Sequence, residues 1–562
     1  MSPSDDPLIE STVEPTEDRG ALRPGEFGTA AVIDIGSNAI RMVVADILED
    51  GQIEILERLQ RAVRMGQDTF RRGRIGAQSM RAAIGILRDY KRKIDVLGIT
   101  RIRAVATSAV REAMNVDVFV DRVYTATGLN VEVISMSEEC RLAYTAVSEA
   151  VHRQRPPQSP DESSGLCLED ALQTSSQTLI VEVGGGSTVL SLLKQGKLVN
   201  ARNLRLGAIR LRESLSAEPS DPKHYANVLN DHIENAIRGL ESQFQLQDVE
   251  TVIAIGGDAR FVADQMGEKL PEQGFSSVRG DEFRKLIGRC SSRSLESLAR
   301  EFGLPFEDAE TLVPALLVLN DLLKRTSADK FLVSDASMRD GLLLDLARRG
   351  GQDETAFHEA TRLAALALGE KFRVDPHHGR NVATLATSLF DAVAIEHGLG
   401  PRERLLLEVA GIVHESGSIV SEQARHKHTY HLIAHSEIFG LSPGEVELTA
   451  HVARYHRRSR PKPSHREYVS LTREKRVLVC KLAAILRVAD AIQSGHPYDI
   501  SLVRFRLPES GPNRTGDTLL IEIPGAEDAV LERQSLDATG DLFEDIYGLT
   551  IQLVEPSPDT DG

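Results

Sequence analysis

A two-lobed α/β protein with a helical module behind it is the fold class that the sequence predicts, and three observations predict it. A strand–glycine–strand hairpin occurs twice, as TAAVIDIGSNAIRMVVADILEDGQIEILERL from Thr29 and LIVEVGGGSTVLSLLKQGKLVNARNLRLG from Leu179. Laid over each other, the copies align Asp34 with Glu182 and Gly36 with Gly184. A unit recurring once at such a distance reads as paired lobes, because solenoid periods are far shorter. The chain, at 562 residues, is also too long for one hydrophobic core. Finally, residues 356–497 are almost continuously helix-patterned and His-rich, after which strand-like runs return (ISLVRFRL, TLLIEIP, LTIQLV).

The elements follow in order. Residues 1–28 are acidic and Pro/Ser-rich and read as a disordered tail. Lobe I, 29–150, opens with the first hairpin and continues with a helix at 77–96 and a strand at 101–106. A helix from Ser108, a strand at 129–136 and a helix from Ser137 complete it. Residues 151–177 have loop composition and read as a surface insertion. Lobe II, 178–349, carries the second hairpin and a third glycine turn in TVIAIGGDAR, 251–260. The helical domain spans 350–498, and a strand-containing segment and tail occupy 499–562.

Bulk properties narrow the function. The chain is 41% hydrophobic and 27% charged, with a mean hydropathy of −0.20. No run approaches the roughly 20 apolar residues of a membrane span, and the N-terminus has no apolar secretory core. Cys140, Cys167, Cys290 and Cys480 lie far apart without C-x-x-C spacing. That pattern argues against a zinc cage or a disulfide framework and fits a reducing, cytoplasmic setting. A net charge of −17 argues against nucleic acid or an anionic membrane as partner.

Glycines after a strand let the backbone turn tightly and present N–H groups to an anion with no side chain between. Gly36 is followed by Ser37 and Asn38; Gly184, Gly185 and Gly186 by Ser187 and Thr188; Gly256 and Gly257 form the third turn. Two such hairpins facing across a cleft would clamp a phosphoryl chain from both sides. The acids just before them, Asp34 and Glu182, would hold a divalent cation, Mg2+ or Mn2+. One glycine turn alone reads as a permissive hairpin; two matched copies and a third read as phosphate binding.

The motifs AAVIDIGSNAIRMVVAD, AVATSAVREAMN, VEVISMSEECRLAY, LIVEVGGGSTVLSL, LRLGAIRL, AIGGDARFVA and VSDASMRDGLLLD occur in that order within residues 29–345. In them the chain resembles the exopolyphosphatase / guanosine pentaphosphate phosphohydrolase (Ppx/GppA) family, within the sugar kinase–Hsp70–actin superfold. The helical remainder resembles the HD-like domain of the longer members. The resemblance implies an actin-like ATPase fold with an appended all-α HD-like domain and a small C-terminal α+β segment. It also implies metal-dependent hydrolysis of a terminal phosphoanhydride, and a homodimer. Glu139, the second acid of VISMSEECRL, matches the carboxylate that positions or deprotonates the attacking water. From the residues themselves, Ser137 would cap a helix and put Glu138 and Glu139 in its first turn, where the dipole keeps a carboxylate ionised. Thr107 or Ser108 would cap a helix whose first turn carries Arg111, placed to brace a terminal phosphate or to hold Glu139.

The chain departs from the family pattern Asp-x-Gly-Gly-Gly-Ser-Thr-Glu at both acids. Glu182 adds a methylene of reach, and Val189 removes a carboxylate that relatives place near metal and water. Asp258 stands where the family usually has Thr. Asp34 and Glu139 remain, and water completes many magnesium shells.

In the helical half, the nearest matches to an HD-type metal set are His378, His414, Glu415 and Asp490. Glu at 415 replaces Asp and changes the ligand's reach, and histidines on apolar helix faces are commonly core residues. An accessory domain is therefore the favoured reading there, a metal site the minor one. The basic runs gather Arg425, Lys427, Arg454, Arg457, Arg458, Arg460 and Lys462, with His426, His428 and His456 nearby. Beside a phosphate cleft they read as a track for the far end of a polyanion, with salt-sensitive binding.

Together these point to an exopolyphosphatase acting on inorganic polyphosphate, with guanosine pentaphosphate hydrolysis as the alternative. A catalytically weak polyphosphate- or alarmone-binding regulator is the rival from another class, with Val189 and Glu415 its best support. A kinase of the same superfold has only Gly256-Gly257 in its favour.

Overall fold

The computed structural model describes residues 28–48, 51–152, 175–215, 221–239, 244–270, 274–347, 354–421, 423–457, 459–493, 500–507, 518–523 and 529–555. The acidic tail up to residue 27, residues 153–174 of the expected insertion, and Arg458 lie outside the described residues.

Lobe I is a five-stranded sheet. Its strands are β1 (Gly28–Ile35), β2 (Ala39–Ile47), β3 (Ile53–Ala62), β4 (Arg101–Ala106) and β5 (Val131–Val133), in the order β3-β2-β1-β4-β5. The hairpin strands β1, β2 and β3 run antiparallel to one another in turn, whereas β4 is parallel to β1 and β5 to β4. Strand β1 is apolar along most of its length because the sheet is covered on both faces.

Lobe II repeats the design with β6 (Thr178–Val183), β7 (Thr188–Lys194), β8 (Lys197–Leu204) and β9 (Thr251–Ile255). Then come β10 (Glu268–Lys269), β11 (Phe275–Arg279) and β12 (Lys330–Ser334). The order β10-β11-β12-β9-β6-β7-β8 contains the lobe I order, with β6 in the place of β1 and β9 in that of β4. The pairing senses match as well. This duplicated α/β sheet gives the two lobes that the repeated hairpin predicts. The expected strand at 129–136 is cut to three residues, and the expected helix from Ser108 stops at Arg111, with a second helix from Val116 to Thr127.

The lobes are joined by a helix swap of sorts. The helix Met338–Ala347 follows β12 of lobe II but packs on lobe I. There Met338, Leu342 and Leu343 share a core with Val32, Val43, Val105 and Leu142. A Cβ on Gly341 would stand 2.3 Å from the Leu142 carbonyl oxygen, so the two helices meet at backbone distance. Asp345 ties its helix further to Arg103 of β4, at 2.7 Å, and to Arg141 of the partner helix.

From Glu354 to Ile492 the described chain is helical, around one apolar core. Its first helix, Glu354–Lys371, lies against β8, and Ala360 joins the lobe II cluster containing Val189 and Cys140. The C-terminal segment forms a small sheet of β13 (Arg504–Arg506), β14 (Thr518–Glu522) and β15 (Thr550–Val554), with helices Val530–Thr539 and Asp541–Tyr547. It is pinned to the helical core by Arg487, which is 1% exposed. Arg487 donates to the carbonyls of Tyr455 and Ser459, each at 2.8 Å, and to Asp541 at 3.0 Å. Among the described residues no helix is long and apolar enough to cross a membrane.

Candidate active site

The strand ends of both lobes face a cleft of about 130 Å³. Both duplicated turns reach it, contributing Asp34, Gly36, Ser37 and Asn38 from one lobe and Glu182, Gly184, Gly185, Gly186 and Ser187 from the other. Gly256 and Gly257 of the third turn line it too, beside Glu139. Close approach dictates the residue type at Gly186: a Cβ there would stand 2.2 Å from Ser108 Oγ and 2.5 Å from the Phe70 ring. At Gly256 the backbone demands it, with φ at +102°. Ser37 Oγ and Ser108 Oγ, 3.1 Å apart and buried, join the two turns of lobe I.

Thr188 is not part of this lining. It is fully buried in β7 and its hydroxyl donates to the Leu206 carbonyl at 2.6 Å, so it holds the base of the loop rather than a ligand. Its place in the strand's hydrogen-bonded register turns the side chain inward.

Glu139 lies in the first turn of the helix Met136–His152. The cap is Ser135, whose Oγ accepts from Glu138 N at 3.1 Å, and not Ser137, which the helix incorporates. The carboxylate of Glu139 is buried, paired with Arg111 Nη2 at 2.8 Å, and accepts from Asn203 Nδ2 at 3.3 Å. The expectation that the dipole keeps it firmly ionised is corrected. Burial pushes its pKa up to about 7, Arg111 opposes that, and the charges of Glu182 and Asp34 reinforce it. Arg111 is anchored in turn by donating to the Ile134 carbonyl at 2.8 Å. Thr107 occupies the cap position of the short turn Ser108–Arg111 without a side-chain cap bond.

Asp34 and Glu182 both face the cleft, and their chemistry is all oxygen, which suits a hydrated Mg2+ or Mn2+. Burial raises the pKa of Glu182, Arg339 opposes, and Asp34 adds to the rise. Asp34 accepts from Arg339 Nη1 at 3.1 Å and lies 3.9 Å from Arg41 Nη1.

Three cleft arginines were not singled out from the sequence: Arg41, Arg260 and Arg339. Each lies inside a quoted motif (IRMVVAD, AIGGDARFVA, VSDASMRDG), and that position was the available signal. The buried Nη1 of Arg260 has no hydrogen-bond partner. Burial, first among the causes, lowers the pKa of Arg41 and of Arg260, with Arg339 pushing the same way, as expected of cations crowded around a space for an anion. Asp258 does not line the phosphate cleft but the cavity beside it, and burial with the nearby Asp308 pushes its carboxyl up to about 7.

The basic run of the helical half does not form one exposed track. Arg425 is buried and 3.1 Å from Glu415; Arg454 is buried, 3.2 Å from Glu467 and stacked near Tyr430 and Tyr455. Arg460 pairs with Asp541 and Asp545, each at 2.5 Å. Arg457 is half exposed, 3.7 Å from Glu415, and Lys427 stands in the helix Arg425–Ala434. For Arg425, Arg454 and Arg460 the charge is therefore taken up in internal pairing. His378, His414, Glu415 and Asp490 do converge, with His378 Nε2 3.6 Å and His414 Nε2 3.3 Å from Asp490 Oδ1, and His378 Nε2 4.0 Å from Glu415.

Comparison with known proteins matches residues 43–156 and 165–349 to the Ppx/GppA phosphatase family, and residues 362–536 to Ppx/GppA phosphatase, domain III. A guanosine-5'-triphosphate,3'-diphosphate pyrophosphatase of Photobacterium profundum is 22% identical over 85% of this chain and 90% of its own. Its counterpart in Vibrio parahaemolyticus is 24% identical over 81% and 86%. Among solved structures, an exopolyphosphatase from Cytophaga hutchinsonii is 21% identical with a TM-score of 0.49, covering 57% of this chain and all of that one.

Proposed function

The chain belongs to the Ppx/GppA phosphatase family, and on that premise we propose that it hydrolyses the terminal phosphoanhydride of inorganic polyphosphate. The observation that carries the reading is a buried carboxylate with a pKa about 7, held by an arginine at the wall of a small cleft whose other sides are glycine turns and guanidinium groups. A base poised near neutrality is matched to deprotonating or orienting water at physiological pH. Phosphoryl transfer otherwise needs positioning and charge neutralisation.

In this mechanism the end of the chain enters between the two hairpins. Backbone N–H groups of the glycine turns hold its oxygens, and Arg41, Arg260 and Arg339 balance their charge. Glu139, oriented by Arg111 and Asn203, takes a proton from the attacking water. The new P–O bond forms as the anhydride bond breaks, releasing orthophosphate and a chain shorter by one unit. Asp34 and Glu182 would hold a hydrated Mg2+ or Mn2+, which supplies further charge neutralisation on the phosphate oxygens when bound.

The cleft has room for the phosphate end of either substrate, so its volume does not choose between them. Guanosine pentaphosphate is the second reading, favoured by the names of the two bacterial relatives. The test is phosphate release from long-chain polyphosphate and from guanosine pentaphosphate, with and without Mg2+ or Mn2+, in wild type and Glu139→Gln. Metal-dependent release from polyphosphate, lost in Glu139→Gln, is the expected result. Faster release from the nucleotide would replace the substrate. Binding of polyphosphate without turnover by either protein would make the chain a regulator, with Val189 as the reason.

A further inference from the structure

The helical domain holds a cluster that the phosphate cleft does not use. His414 ends the helix Pro401–Val413, His456 follows the helix Pro443–Arg454, Asp490 lies in the helix Arg473–Ile492, and His378 is in the first turn of the helix Pro376–Ala392. Separate helices thus bring ligand-type side chains into two overlapping groups that share His414. Candidate ligand atoms of His414, His456 and Asp490 all lie within 4.8 Å of one another, as do those of His378, His414 and Glu415.

The orientation of the imidazoles is the informative part. His414 Nδ1 donates to the Gly411 carbonyl at 2.6 Å, and His456 Nδ1 donates to the Ala453 carbonyl at 2.5 Å. A carbonyl only accepts, so the proton of each neutral ring sits on Nδ1 and the lone pair on Nε2. Those two Nε2 atoms are buried, on residues 0% and 1% exposed, and neither has a hydrogen-bond partner. His414 Nε2 nevertheless stands 3.3 Å from Asp490 Oδ1. A nitrogen lone pair and a carboxylate oxygen at that distance repel unless a proton on Nε2 or a metal ion lies between them, and the second orphaned Nε2, on His456, favours the ion. Backbone carbonyls behind the far ring nitrogens are also how proteins orient metal-bound histidines.

The spacing suits an ion. Around a tetrahedral centre with ligands at about 2.1 Å, neighbouring ligand atoms stand about 3.4 Å apart. The separations from Asp490 Oδ1 are 3.3 Å to His414 and 3.6 Å to His378. Glu415, the sequence's doubtful ligand, is instead drawn off by Arg425 at 3.1 Å and Arg457 at 3.7 Å. His456, which the sequence placed among the basic run, takes its position in the cluster. We infer that His378, His414, His456 and Asp490 form a binding site for a divalent first-row transition metal of the Zn2+ class, separate from the phosphate cleft. Imidazole-rich sets favour such ions over Mg2+. His378 and Asp490, 24% and 18% exposed at their side chains, give the ion an approach from solvent.

The test uses the full chain, stripped with a chelator and titrated with Co2+, whose visible absorption reports nitrogen ligation. Wild type and Glu182→Gln are both expected to bind one Co2+ tightly with that signature. In His378→Ala and in Asp490→Asn the affinity should fall at least tenfold, with circular dichroism confirming the fold. His378 is a half-buried residue at a helix start, so its variant keeps the test valid should Asp490→Asn misfold. Zn2+ at a limiting concentration should also raise the thermal midpoint of wild type more than that of His378→Ala. Co2+ affinity equal in wild type and His378→Ala overturns the site, as does a signal lost in Glu182→Gln alone. Neither result bears on hydrolysis in the cleft.

Discussion

Removing the charge of Arg111 should shift the pH dependence of hydrolysis rather than merely lower it. The Arg111–Glu139 pair is 2.8 Å apart, with both side chains less than a fifth exposed. For charge centres about 4 Å apart at an effective dielectric of about 20, attraction is about 4 kcal/mol. At about 1.4 kcal/mol per pKa unit that is about 3 units as an upper limit, and opposite charges at such range commonly move a carboxyl by about 1 to 3. Burial already places Glu139 at about 7 with the arginine present. In Arg111→Gln the acid limb of kcat/KM should therefore rise from about 7 to about 8–10. Ionised base at pH 7 then falls from about half to between about a tenth and a thousandth, so activity drops about 5- to 500-fold and returns at high pH. Arg111→Lys, which keeps the charge, should hold its limb nearer 7. The assay is initial phosphate release from pH 5 to 10, with KM and kcat separated. A limb that stays at about 7 while kcat/KM falls by one factor at every pH would refute the reasoning, and would assign Arg111 to the substrate instead.

Asp258 offers a stability test. Its carboxyl rises from 3.8 to about 7 on folding, so the folded chain holds the proton across a window in which the unfolded chain has lost it. Stability is then lost as pH climbs from about 4 to about 7, by roughly 4 kcal/mol at most. Asp258→Asn should match wild type in thermal midpoint near pH 4 and exceed it at pH 8; a variant no more stable at pH 8 contradicts the burial argument. Arg487→Met strips buried carbonyls of Tyr455 and Ser459 of their donor. It should cost about 3 kcal/mol or more and expose the segment from residue 500 to limited proteolysis; an unchanged digestion pattern would show that the segment is held by its apolar contacts alone. Val189→Glu puts a carboxylate among Glu139 and Glu182, so its thermal midpoint should fall without Mg2+ and recover with it. Insensitivity to Mg2+ would remove Asp34 and Glu182 as the cation's holders.

The two lobes were legible because the glycine hairpin repeats, and repetition separates a fold signal from a local turn. The terminal strands were legible as strand-like runs, and all three pair into one sheet. What failed to be legible depended on partners distant in sequence. Arg41, Arg260 and Arg339 look like ordinary surface charges until the lobes close around them. Arg454 and Arg460 look like free cations until Glu467, Asp541 and Asp545 arrive from later in the chain. A helix start is blurred by one residue or two, which is why Ser135 rather than Ser137 caps the turn of Glu139. The dipole argument at Glu139 erred in sign because burial outweighs a helix terminus, and burial is a property of the assembled cleft.

The duplication also explains what Val189 does. In lobe I, register places Asp34 opposite Arg41 and Arg41 opposite Gln60, and Arg41 Nε donates to Gln60 at 2.9 Å. The same row in lobe II runs Glu182, Val189, Asn203. An acid–cation–amide row in one lobe is thus an acid–alkyl–amide row in the other. Val189, being apolar, makes no demand on Asn203, and that amide donates across the cleft to Glu139. A glutamate at 189 would compete for the amide and add a third negative charge beside Glu139 and Glu182, driving the base's pKa above about 7 unless a cation answered it. Losing that carboxylate therefore removes one potential metal ligand and at the same time lowers the cleft's need for metal charge. The arginines of lobe I, Arg339 and the unpartnered Arg260 Nη1 supply positive charge from the protein itself. The departure from the family pattern and the arginine-lined cleft are two sides of one electrostatic balance.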